Sequence, residues 1–135
     1  MNTPFNTMLN TSDKVCLISV DKYEIDDAGD VVKTGTETLT DYYKIELYLH
    51  TRKTPTAFAK YSIADPLPAG YLQMTVTDNN KLEFTIRRED VAGFNDDDVV
   101  YYVSLWAEDE RFDGEDLRKD TLPMFLVAVK SVENV

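Results

Sequence analysis

The chain has 135 residues with 25 acidic against 14 basic side chains, a formal charge of −11. That length fits one domain with a core of its own, and the charge argues against broad phosphate-backbone binding, which needs clustered Lys and Arg. A single cysteine, Cys16, excludes an internal disulfide, and its apolar surroundings predict a small buried residue.

Residues 1–13 are polar, with Phe5, Met8 and Leu9 set among Asn, Thr and Pro4 at neither a period of two nor of 3.6. They read as an extended N-terminal arm, with residues 14–135 as a single domain. The arm lacks the basic n-region and apolar h-region of a secretory signal. Its Phe5, Met8 and Leu9 are candidate anchors on a neighbouring molecule. No stretch has the length of a membrane span.

Val15, Leu17, Ile18 and Val20 predict a first strand. Asp26, Asp27, Gly29 and Asp30 then turn the chain, and residues 31–36 return as a short partner. Tyr43, Ile45, Leu47 and Leu49 alternate with Lys44, Glu46, Tyr48 and His50, the pattern of a half-buried strand. Residues 51–56 turn, residues 57–63 form a strand, and Asp65-Pro66-Leu67-Pro68-Ala69-Gly70 breaks any ladder. Leu72, Met74 and Val76 face Leu82, Phe84 and Ile86 across Asn79-Asn80, whose tolerance of positive φ suits a tight hairpin.

Glu89, Asp90 and Val91 predict one helical turn on a crossover between sheets. After it, residues 96–107 carry the strongest β signal in the chain and its one tryptophan, Trp106. Both alternating sets of this run are apolar, so it reads as a central strand covered on both faces, with Trp106 and the paired tyrosines Tyr101 and Tyr102 packed between two sheets. Residues 108–121 read as an acidic loop. Residues 122–132 close the domain with Phe125, Val127 and Val129 on one face. Seven or eight strands at this spacing predict an all-β antiparallel sandwich or barrel.

The sequence offers little for catalysis. His50 is the one histidine and lies on the mixed face of its strand, where a solvent-facing side chain is expected. The five glycines are scattered among turns with no phosphate-cradling spacing. The expectation is a non-enzyme with no cofactor. Calcium is the weaker candidate ligand: Asp96, Asp97, Asp98 and Asp113 supply hard oxygens, as do Asp26, Asp27 and Asp30, but without EF-hand order.

Charge is unevenly distributed. Residues 93–120 hold ten acids against three bases, whereas residues 44–60 hold four bases against one acid. Arg52 and Lys53 on the basic side, and Glu108, Asp109 and Glu110 on the acidic side, are therefore candidate contacts between molecules.

From Tyr43 onward the order of features resembles the immunoglobulin-like β-sandwiches of tailed-phage structural proteins, including upper baseplate N-terminal domains and capsid-attached domains. The strand at 43–49, the hairpin Leu72-Gln73-Met74-Thr75-Val76-Thr77-Asp78-Asn79-Asn80-Lys81-Leu82-Glu83-Phe84-Thr85-Ile86 and the crossover Arg88-Glu89-Asp90-Val91 carry the resemblance. Tyr101-Tyr102-Val103-Ser104-Leu105 and the final strand complete it, with Gly93 and Tyr101 or Tyr102 at the family's glycine and tyrosine positions. It implies an immunoglobulin-like sandwich and a virion structural protein made in the host cytoplasm. Such a protein decorates the capsid or belongs to the tail or fibre, contacting other virion proteins or further copies of itself. The alternative expectation is a carbohydrate- or calcium-dependent adhesion module.

Overall fold

The computed structural model describes residues 7–108 and 116–132. Within them the chain is all-β, with a 3-10 turn at Leu39–Asp41 and one helical turn, α1 (Arg88–Val91). The strands are β1 (Thr7–Leu9), β2 (Lys14–Ser19), β3 (Asp21–Ile25), β4 (Val31–Thr36), β5 (Lys44–Thr51) and β6 (Thr54–Ser62). They continue as β7 (Leu72–Gln73), β8 (Thr75–Thr77), β9 (Lys81–Ile86), β10 (Asp97–Glu108), β11 (Asp116–Asp120) and β12 (Met124–Lys130). The main sheet runs β1-β12-β10-β5-β6-β7, with β11 also paired to β10. A second sheet runs β2-β9-β8, and β3 and β4 pair with each other as a separate hairpin.

β10 is the central strand that its composition predicts. It pairs antiparallel with β5 along one edge and with β12 and then β11 along the other. Val99, Val103 and Leu105 point inward, where they meet Ile45, Leu47 and Leu49 of β5 and Val127 and Val129 of β12. The second sheet lies against this layer through Cys16, Leu82, Phe84 and Ile86. Tyr61 of β6 bridges the two sheets: its hydroxyl donates to the Thr85 carbonyl at 2.7 Å and its ring lies 5.1 Å from that of Phe84. A buried phenol needs such a partner, because an unpaired hydroxyl in the core costs about 1–3 kcal/mol. Burial also pushes the Cys16 thiol up to about 11, so it is neutral at physiological pH and serves as a small apolar side chain.

Several expectations need correction. The main sheet is mixed, because β1 runs parallel to β12 and β7 parallel to β6. Parallel neighbours cannot be joined by a tight hairpin: nearly the whole domain separates β1 from β12, and residues 63–71, with Pro66 and Pro68, separate β6 from β7. Thr7–Leu9, expected to belong to the arm, is part of the main sheet, and Met8 is buried in the chain's own core.

Two predicted strands are also split, which raises the number of segments. The first breaks at Val20, whose carbonyl accepts from the Glu37 N–H, so that β3 departs with β4. The run at 72–76 breaks at buried Met74, where the chain passes from the main sheet to the second one. Finally, residues 116–120 form strand β11 where a loop was expected, paired with the long overhang of β10.

The predicted crossover is observed: α1 connects β9 of the second sheet to β10 of the main sheet, and Val91 enters the core. The predicted hairpin forms, but its turn has three residues, 78–80, in place of the expected two. Thr77 pairs with Lys81, and the positive φ values fall on Asp78 and Asn79. Both residue types tolerate the left-handed region because their short polar side chains bond locally.

Candidate interaction surface

Three surfaces combine polar and apolar groups in ways that the core does not require. The first is the end of the domain where β5 turns into β6. There Lys53 Nζ lies 3.0 Å from Asp97 Oδ1 and Arg52 Nε lies 3.2 Å from Asp98 Oδ2. Lys130 of β12 pairs with Asp96. The basic turn and the aspartate run therefore meet within one chain.

Their proximity follows from register, since Thr51 is opposite Val99 and the Arg52 N–H donates to the Asp98 carbonyl at 3.2 Å. The Lys53 ammonium holds the Asp97 carboxyl below the usual carboxylate range. Each calcium candidate among Asp96, Asp97 and Asp98 thus has a protein cation as partner. No group of three metal-ligating side chains occurs among the described residues. Phe5, Asp109, Glu110 and Asp113 lie outside the described residues. Leu9 is half-buried in β1, and Glu108 is exposed at the end of β10.

The second surface is the outward face of the main sheet. Strand alternation places Tyr102, Ser104 and Trp106 there, and not between the sheets as expected for Tyr102 and Trp106. Trp106 is opposite Lys44 on β5 and Arg118 on β11. Lys44 Nζ lies 4.4 Å from the indole centre and the Arg118 guanidinium carbon 4.9 Å from it, two cation–π contacts on one ring. Arg118 is held by Asp120 at 2.9 Å, and Asp120 accepts from Ser104 Oγ at 2.7 Å. Tyr48 and Tyr102 are cross-strand partners with rings stacked at 4.8 Å.

The carboxylate of Glu46, buried on this face, accepts from Tyr48 at 2.5 Å and from Tyr71 at 3.3 Å. Burial, then donation to Glu46, raises the Tyr48 phenol above its ordinary range, so it remains a donor at any physiological pH. His50 belongs to the same face, with its ring beside Tyr102 and its Nδ1 2.9 Å from the Thr51 carbonyl oxygen.

The third surface is the β3–β4 hairpin and the cleft beneath it. Asp26 shapes the tip by accepting from the N–H groups of Ala28 at 3.0 Å and Asp30 at 2.8 Å. Gly29 supplies the left-handed φ of +86° that the turn requires. Tyr23 is opposite Lys33 and Ile25 opposite Val31, so alternation places Tyr23, Ile25 and Val31 on one face. Ile25 is 74% exposed, Val31 70% and Tyr23 54%. Leu122, just before β12, is 80% exposed.

A cleft of about 510 Å³ lies between this face and the main sheet, lined by Tyr23, Val31, Leu105 and Leu122 with Asp21 and Lys119. One wall is fixed by Glu37, which is buried. Its carboxylate accepts from the Tyr42 hydroxyl at 2.8 Å and lies 3.5 Å from Lys119 Nζ. Burial raises the Tyr42 phenol, and its bond to Glu37 adds to the shift.

Sequence reasoning missed the apolar hairpin face. Its signal was present as Val31 and Val32 at the start of a strand with no later apolar residue to bury. Compared with protein-family models, with curated proteins and with solved structures, the chain gives no match in any of the three.

Proposed function

We propose that this chain is a non-enzymatic structural protein of a tailed-phage particle, built on an immunoglobulin-like sandwich and held in place by contacts with other particle proteins or with further copies of itself. The observation that carries the reading is the exposed apolar face of the β3–β4 hairpin with Leu122 beside it. Among the described residues β3 and β4 pair only with each other, and such a pair has little stability of its own, so presenting Ile25, Val31 and Tyr23 to water gains the fold nothing. A partner that covers them recovers about 1.5–3 kcal/mol for each large aliphatic side chain. The particle assignment is supported by the order of strands, hairpin and crossover leading to β10 and β12. The test is mass spectrometry of density-purified particles from the phage encoding the chain. The reading predicts the chain in the particle at a fixed ratio to a major structural protein, and its absence from intact particles overturns it.

A second reading is favoured by one observation, the Tyr48–Tyr102 stack beside Trp106 on the outward face. Aromatic platforms of this kind suit the apolar faces of sugar rings, which makes a glycan-binding module the rival. Trp106 is the one tryptophan and reports directly on that face. Under the particle reading its fluorescence is unchanged by millimolar oligosaccharides. A saturable change that Tyr102→Ala abolishes favours the glycan module.

A further inference from the structure

The β3–β4 hairpin and the outward face of the main sheet lie on opposite sides of that sheet. Leu105, which walls the cleft under the hairpin, alternates along β10 with Ser104 and Trp106 of the outward face. The tip of the hairpin therefore cannot reach the outward face of its own chain. The two surfaces nevertheless complement each other in charge.

Hairpin residues 21–36 hold five acids and two bases. Lys22 pairs with Glu24 and Lys33 with Asp21, which leaves Asp26, Asp27 and Asp30 at the tip with no basic partner among the described residues. Beside them stand the exposed Ile25 and Val31. On the outward face the balance is reversed. Lys60 is opposite Tyr48 and its Nζ lies 5.4 Å from the Tyr71 ring centre, much as Lys44 lies over Trp106. Neither lysine has a carboxylate partner among the described residues. The acids of this face are already engaged, Glu46 by Tyr48 and Tyr71 and Asp120 by Ser104 and Arg118. Lys44 and Lys60 stand on neighbouring strands four positions apart, about 14 Å, which admits a two-stranded ribbon whose backbones are about 5 Å apart.

We propose that the β3–β4 hairpin of one copy docks on the outward face of the main sheet of a second copy, with Ile25 and Val31 against the aromatic rings and Asp27 and Asp30 beside Lys44 and Lys60. The contact takes the aliphatic side chains out of water and gives both lysines a counter-charge. It joins two different surfaces, so each pair still carries an unused hairpin at one end and an unused face at the other, and association continues into a ring or a row. A hairpin tip on a sheet face belongs to the small class of interfaces, below about 1,200 Å² in total, so one contact is weak and an array of copies strengthens it. The inference rests on the reading of the chain as a particle protein that contacts further copies of itself. The two fail separately, because presence in particles is read by mass spectrometry and copy-to-copy docking by the purified chain.

Sedimentation velocity of the full chain, from dilute solution up to about 1 mM, tests this. Species larger than a dimer are expected to grow in with concentration and to recede in high salt. The variants Ile25→Asp, Val31→Asp and Lys44→Glu, Lys60→Glu are each expected to associate at least about tenfold more weakly. Mixed in equal amounts they form a two-chain species and nothing larger, since one intact hairpin meets one intact face. None of these four side chains belongs to the buried core, and a parental urea midpoint verifies the fold of each variant. A second hairpin variant, Asp27→Lys, Asp30→Lys, leaves Ile25 and Val31 in place and is expected to lose association in the same way. A parental chain that stays monomeric throughout the range overturns the proposal, as does a mixture that stays monomeric. So does a Lys44→Glu, Lys60→Glu variant that associates like the parent, which identifies a symmetric contact between hairpins.

Discussion

The variant Leu47→Ala is expected to lose about 2–5 kcal/mol of unfolding free energy, the range for deleting a fully buried leucine. Leu47 is 0% exposed at the middle of β5, opposite Val103 of β10 on one side and Tyr61 of β6 on the other. Both neighbours are held in place, Val103 within the central strand and Tyr61 by its bond to Thr85, so the surroundings have little freedom to collapse into the space left behind. A single domain has only about 5–15 kcal/mol in total, so this one change consumes a large part of it. Urea unfolding at neutral pH reads the loss as a lower midpoint with an unchanged slope. A loss below about 1 kcal/mol would show that β5 is not the inner strand described here.

A second large effect is expected on assembly and not on folding. In the double variant Ile25→Asp, Val31→Asp, two opposed apolar side chains on the exposed hairpin face become carboxylates. Neither side chain belongs to the buried core, so the fold is expected to remain intact with a urea midpoint close to that of the parent. Covering both aliphatic groups in an assembled particle stabilises the contact by about 3–6 kcal/mol, and their loss weakens binding more than about 100-fold. The measurement is the amount of chain retained on particles assembled with the variant. Retention at the parental level, with the fold intact, contradicts a docking role for the hairpin.

The reach of sequence reasoning followed the strength of local signals. Residues 96–107 declared a central strand because β-branched and aromatic residues filled both alternating sets, and β10 has neighbours on both edges. Which way Trp106 points was not legible from an apolar run alone. The clue lay in Ser104, two positions earlier, which alternation places on the same outward face and which now donates to Asp120. The charge imbalance did not say which of the charges would pair. Arg52 and Lys53 find Asp98 and Asp97 in the same chain because the β5–β10 register ends with Thr51 beside Val99.

Residues 116–120 gave no strand signal, since Asp116, Arg118, Lys119 and Asp120 are poor strand formers. They are ordered as β11 by pairing with the overhang of β10 and by the Arg118 contact with Trp106. The hairpin face was illegible for a related reason. Alternation predicts which residues share a face, but it does not say whether another layer covers that face.

A side-chain-resolution map of the assembled particle tests the central claim most directly. The account predicts a neighbouring protein seated on the β3–β4 hairpin, with Ile25, Val31 and Leu122 buried beneath it. Density that leaves those three side chains facing solvent contradicts it.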